Sequence, residues 1–184
     1  MSAWELPTSI DVGGTSYAIR SDFRVVLDIL RHYASPDYEP DEKALICLGI
    51  LYVDDIPQEL YEEAYKKAID FIDAGIQDDG KPKPRTMDWD QDAPLIVPAI
   101  NKVLGGEVRA MPYLHWWTFV GAYMEIGDGV FSSVLAIRQK KAKHKKLEKH
   151  EQEFYRENKS LIDMQPRLSA EEQAEIDRLN EMLK

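Results

Sequence analysis

Prolines set the length of every helix this chain can form. Pro36, Pro40, Pro57, Pro98, Pro112 and Pro166 fall within or between apolar runs at helical spacing. A proline lacks a backbone donor and its ring crowds the preceding turn, so each one starts, ends or kinks a helix. Long heptad-repeat helices are thereby excluded. The expected fold is mainly α: an irregular multi-helix domain with a small N-terminal β-hairpin and a charged C-terminal helical arm. On composition the chain divides into a compact α-rich domain, residues 1–139, and a charged helical extension, residues 140–184.

The hairpin is the one β signal. Pro7 to Val12 and Thr15 to Ile19 are short alternating runs about Gly13-Gly14, a pair suited to a tight hairpin turn. Ile10 and Val12 share one face, with Tyr17 and Ile19 opposite, and Trp4 and Leu6 are expected to seal it. Ser21 or Asp22 caps a helix bearing Phe23, Val26, Leu27 and Leu30. A second helix is expected from Asp41 to Tyr52. A third has Asp55 and Gln58 as capping box, Pro57 in its first turn, and Leu60, Ala64, Ala68, Phe71 and Ile72 inward; Gly75 stops it. Gln77 to Arg85 reads as a mobile surface loop. A fourth helix starts near Asp90 or Asp92 and ends at Gly105, kinked or broken early at Pro98. A fifth runs from Pro112 to Glu125 and a sixth from Val130 to Lys141. Lys140 to Ser160 reads as an exposed helix or arm. Beyond Pro166, Ser169 and Glu172 form a capping box for a last helix, whose stripe of Ile176, Leu179, Met182 and Leu183 needs a cover from this chain or another subunit.

No catalytic or cofactor pattern emerges. Asp88-Trp-Asp-Gln-Asp92 opens like a calcium loop, but Ala93 and Ala99 stand where such a loop needs glycine and glutamate. It reads as a helix-capping cluster, with Trp89 anchoring the adjacent loop. Gly13-Gly14 and Gly127-Asp-Gly129 lack the grammar of a phosphate loop. His32, His115, His144 and His150 have no metal-binding spacing. His115 alone is in an apolar setting, as a packing histidine bonded to backbone or carboxylate, or at an interface. The single cysteine, Cys47, excludes an internal disulfide and reads as a small buried hydrophobe. No cofactor, no metal and no enzymatic activity are expected. No apolar run approaches the ~18 residues of a membrane span, and no basic, apolar leader opens the sequence. Both point to a soluble intracellular protein without a membrane partner.

The formal charge of -10 is unevenly placed. Arg138, Lys140, Lys141, Lys143, Lys145, Lys146 and Lys149 oppose only Glu148, a local +6 that leaves -16 on the rest. An acidic body repels nucleic acid over most of its surface. The seven basic residues therefore read as a solvated arm, as an electrostatic contact with an acidic protein or a second copy of this chain, or as a nonspecific nucleic-acid contact.

The other candidate surface is aromatic. Met111-Pro-Tyr-Leu-His-Trp-Trp-Thr-Phe119 sets two of the four tryptophans side by side. Helix neighbours point about 100° apart, so Trp116 and Trp117 cannot both centre one buried stripe. One indole belongs to the core, and the other is covered by this chain or by a partner. Tyr113, Trp116, Trp117, Phe119 and Tyr123 are the candidate protein-binding residues, and a homo-oligomer sharing one aromatic face is expected.

The order of these pieces resembles a known family. Trp4-x-Leu-Pro-Thr8, the Val12-Gly-Gly hairpin, Ser21-Asp-Phe-Arg24, Asp90-Gln-Asp-Ala-Pro94, Tyr113-Leu-His-Trp-Trp-x-Phe119, and Phe131-Ser followed by Arg138 are similar to tailed-bacteriophage and prophage proteins of the tail module. The resemblance covers about residues 4–165 and leaves the last helix outside it. Such proteins are encoded near the tape-measure gene. The resemblance implies a tail-assembly chaperone or assembly factor that binds the tape-measure protein or other tail proteins. It would act in the bacterial host cytoplasm and be absent from the mature virion. The alternatives are a structural tail or connector component of the virion, and a nucleic-acid-binding phage accessory protein.

Overall fold

The computed structural model describes residues 4–75 and 84–183. The expected Gln77–Arg85 loop lies mostly outside them. The fold is mainly α with one two-stranded sheet, and two compact units divide the chain: residues 1–75 with 166–184, and residues 76–165.

In the first unit β1 (Ser9–Val12) and β2 (Thr15–Ala18) pair antiparallel, with Val12 opposite Thr15. Gly13 and Gly14 take φ of +57° and +80°, a geometry that matches the strand twist and that other residues resist. Ile10 and Val12 face inward between exposed Ser9 and Asp11. Trp4 and Leu6 do not seal this hairpin: Trp4 is 96% exposed and Leu6 is also exposed. Pro7, adjacent to the first strand pair, takes the buried place instead.

Three helices complete the core. α1 (Phe23–Ala34) is capped by Asp22, whose carboxylate accepts from the Arg24 N–H. Phe23, Val26 and Ile29 are its buried residues. α2 (Pro40–Leu51) starts with a reciprocal Glu39–Glu42 capping box, and the Arg20 guanidinium donates to carbonyls at its C-terminal end, including those of Ile50 and Tyr52. α3 (Tyr61–Ile72) begins later than expected. The segment after Pro57 forms a 3-10 turn at Gln58–Leu60, so the first α turn lies beyond reach of Asp55. Ala64 and Ala68 are small enough for close packing, and the Tyr52 hydroxyl donates to the Ala64 carbonyl at 2.9 Å. Cys47 is buried here as a packing residue, and burial pushes its thiol up. α9 (Ala170–Met182) has the expected Ser169–Glu172 box, and its Ala170 N–H donates to Asp37.

The second unit opens with α4 (Ala93–Leu104), which runs through Pro98 without a break and closes at Gly105, φ +70°. Pro94 and Pro98 lie one turn apart on its exposed side. A missing helix hydrogen bond costs less on an exposed side than in a dry core. After a 3-10 turn at Val108–Ala110, α5 spans Trp116–Met124. It starts at Trp116 and not Pro112, because His115 is its cap: the ring Nδ1 accepts from the Trp117 N–H at 3.0 Å. α6 (Val130–Ala142) follows the Gly127–Gly129 turn.

The charged segment does not form a separate extension. The boundary expected at residue 139 falls inside α6, and α7 (Lys149–Glu157) and α8 (Lys159–Ile162) fold back on it. Leu147, Phe154, Tyr155 and Leu161 pack on a buried centre of Val134, Ile137 and Ile162. These few apolar residues recur about every seven positions, enough to give the segment one buried face.

Candidate protein-docking groove

The aromatic segment folds inward. Trp116 is 3% exposed and stacks on buried Phe119 at 5.7 Å. Trp89 packs against both, at 6.3 and 5.9 Å, and against Tyr123 at 5.0 Å; Tyr123 in turn meets Phe131 at 6.0 Å. Burial, with the nearby Asp92 carboxylate second, raises the Tyr123 hydroxyl pKa. Of the five candidate binding residues, Trp116 and Phe119 are therefore core and Tyr123 lines its edge. Trp117 is half-buried with its ring edge-on to His115, and Tyr113 is 53% exposed.

Arg138, grouped above with the surface cations, is 4% exposed. Its guanidinium grips both oxygens of Asp92, which is 1% exposed, at 2.7 and 2.9 Å. The remaining N–H groups donate to the carbonyls of Thr86, Leu161 and Ile162. A rigid fork of donors meeting a carboxylate and three carbonyls ties the start of α4 to α6 and α8. The Asp88–Asp92 cluster is part of this device. The Asp88 carboxylate accepts from the N–H groups of Asp90 and Gln91, and Asp92 accepts from the Asp88 N–H. A sequence signal existed: Arg138 stands four positions after Val134 and seven after Phe131, on the buried face of α6.

Two lysines are also internally neutralised. Lys140 pairs with Glu151 at 2.7 Å. Lys141 pairs with Asp163 and lies 3.8 Å from the centre of the Tyr155 ring. Burial pulls the Lys141 ammonium down, but its bonds to Asp163 and Tyr155 outweigh that and leave it raised. Its hydrogen bond is also the main cause of the lowered Asp163 carboxyl. Lys143, Lys145, Lys146 and Lys149 are exposed, and no ion pair among the described residues involves them.

The apolar opening in this unit lies between α4 and the turn into α6. It is a groove of about 660 Å³, walled by Pro94, Pro98, Val103, Ile126, Val130 and Phe131. Lys102, Glu125 and Asp128 stand among its lining residues. That volume takes several aliphatic side chains. Val103 and Val130 are exposed in it. The lining is mostly apolar, so it offers a surface for an apolar side-chain stripe. No cluster able to hold a metal ion occurs among the described residues. No described helix is long and apolar enough to cross a membrane. Sequence reasoning passed over this groove because its walls are a proline-bearing helix face and a generic glycine turn.

No curated protein and no solved structure matches the chain. The model of the Bacteriophage Gp15 protein family matches residues 4–164, which include the hairpin, the His115-capped aromatic helix, the Asp92–Arg138 pair and the groove, and end before α9. The chain belongs to the bacteriophage Gp15 protein family.

Proposed function

We propose that the protein is a non-enzymatic tail assembly factor, a chaperone that binds the tape-measure protein during tail morphogenesis in the bacterial host cytoplasm and is absent from the mature virion. Membership of a bacteriophage family points to a phage structural or assembly protein. The observation that carries the finer reading is the groove between α4 and the α6 turn. A tape-measure chain presents apolar helical stripes, and such a stripe laid in this groove is shielded from aggregation while the acidic body keeps the complex in solution.

Val103 and Val130 are exposed in the groove, so aspartate at either position blocks an apolar ligand without entering the core. Co-expression with the tape-measure protein of the same phage should raise its solubility and yield a co-purifying complex. Val103→Asp and Val130→Asp should lose both effects. A wild-type chain that neither solubilises nor co-purifies the tape-measure protein overturns the reading. Stoichiometric presence in purified virions would favour a structural tail component instead.

A further inference from the structure

Helix α9 is exposed along its whole length. Ile176, Leu179, Met182 and Leu183 all face solvent, Leu183 at 85%. A 13-residue helix with no packed face is marginal in water, so this one needs a cover. Its residues are sorted lengthwise. Glu171 and Glu175 share an i, i+4 row with Leu179 and Leu183, while Glu172 precedes Ile176 by one turn. One face thus starts acidic and ends apolar. No ion pair among the described residues involves those three carboxylates.

Helix α6 offers the complementary order over the same length. Its C-terminal end leads into exposed Lys143, Lys145, Lys146 and Lys149, which are likewise unpaired. Its N-terminal end, Val130 and Phe131, borders the apolar groove. Between the two, Ser133 and Ala136 are exposed, and their small side chains let a second helix come close. Each helix has 13 residues, so each spans ~20 Å.

We propose that α9 of a second copy of this chain lies antiparallel along α6, its acidic half on the lysines at 143–149 and its apolar half in the groove. Two such contacts related by a twofold axis close a dimer and leave no open end. The expected oligomer then forms through this helix in place of the aromatic segment. The groove is the one assigned above to the tape-measure stripe, so α9 and that stripe compete for it; self-association of the chain alone is the readout, and it fails or stands separately from tape-measure binding.

Sedimentation velocity of the full chain should show a dimer in the micromolar range at ~20 mM salt, with affinity about tenfold weaker at ~500 mM. Lys143→Glu/Lys145→Glu/Lys146→Glu sets acid against acid, and Glu171→Lys/Glu175→Lys sets base against base while sparing the Ser169–Glu172 cap. Each variant alone should be monomeric, and an equimolar mixture should restore a heterodimer because both contacts are then complementary. Leu179→Asp/Leu183→Asp should also be monomeric. A wild-type chain that stays monomeric at low salt, a dimer that survives either charge reversal, or a mixture that remains monomeric overturns the proposal.

Discussion

Replacing Arg138 by methionine keeps the volume of the side chain close to native and removes its five hydrogen bonds, to both oxygens of Asp92 and the carbonyls of Thr86, Leu161 and Ile162. Asp92 is then left as a buried carboxylate whose remaining donor is the Asp88 N–H. Breaking a buried ion pair from one side costs about 3–5 kcal/mol. That is a large share of the ~5–15 kcal/mol that holds a domain folded. Urea unfolding followed by tryptophan fluorescence reads the effect where it occurs, because Trp89, Trp116 and Trp117 lie in the 76–165 unit and only Trp4 lies outside it. With a urea dependence of ~2 kcal/mol per molar, a loss of about 4 kcal/mol moves the midpoint down by about 2 M. Arg138→Lys keeps the charge but not the planar fork and should lose about 2 kcal/mol. Arg138→Met combined with Asp92→Leu should be more stable than Arg138→Met alone, since no charge is then stranded. A midpoint for Arg138→Met within ~0.3 M of wild type, less than 1 kcal/mol on the same slope, would refute the reasoning. So would a double variant as unstable as the sum of the two single losses.

Two further outcomes follow from local geometry. The lowered folded-state pKa of Asp163 means that its contribution is present above the unfolded carboxyl value of ~3.9 and is lost as pH falls through the lower folded value. Melting temperature measured down the acid limb should therefore fall less steeply in Asp163→Asn than in wild type, and parallel curves would count against the Lys141–Asp163–Tyr155 contact. Gly13→Ala meets both a φ of +57° and the Leu60 side chain 2.8 Å from the new Cβ, whereas Gly14→Ala at φ +80° enters open space. The first should cost more than the ~1–2 kcal/mol of left-handed strain that the second alone incurs. Equal thermal shifts by circular dichroism would contradict the turn packing.

The elements that read well from sequence are those fixed by short-range chemistry. The Gly13-Gly14 hairpin, the Asp22 cap, the stop at Gly105 and the Ser169–Glu172 box each depend on residues within a turn of one another. The errors have a different physical origin. Arg138 looked like the start of a basic patch because charge was counted along the chain, while its place on the face of Phe131 and Val134 decides its burial. Lys140 to Ser160 looked like a solvated arm because apolar residues are few there, yet Leu147, Phe154 and Tyr155 recur on one side. Pro98 looked like a kink or an early break, yet α4 runs on through it, with the proline on the exposed side where a missing hydrogen bond costs little. The groove was not legible because it depends on how α4 meets the turn into α6, a tertiary relation with no local pattern.

The turn from Asp88 to Asp92 has a consequence for how the second unit folds and for what changes it tolerates. Within five residues it carries Trp89, which meets α5, and Asp92, which meets Arg138 forty-six positions later. Both are non-local contacts whose loop-closure entropy must be met before they stabilise anything. The turn therefore acts as a clasp between α5 and α6. Its length matters as well as its composition. One residue inserted between Trp89 and Asp92 would leave every side chain in place on paper, yet it would change the spacing that lets the indole and the carboxylate reach their partners together.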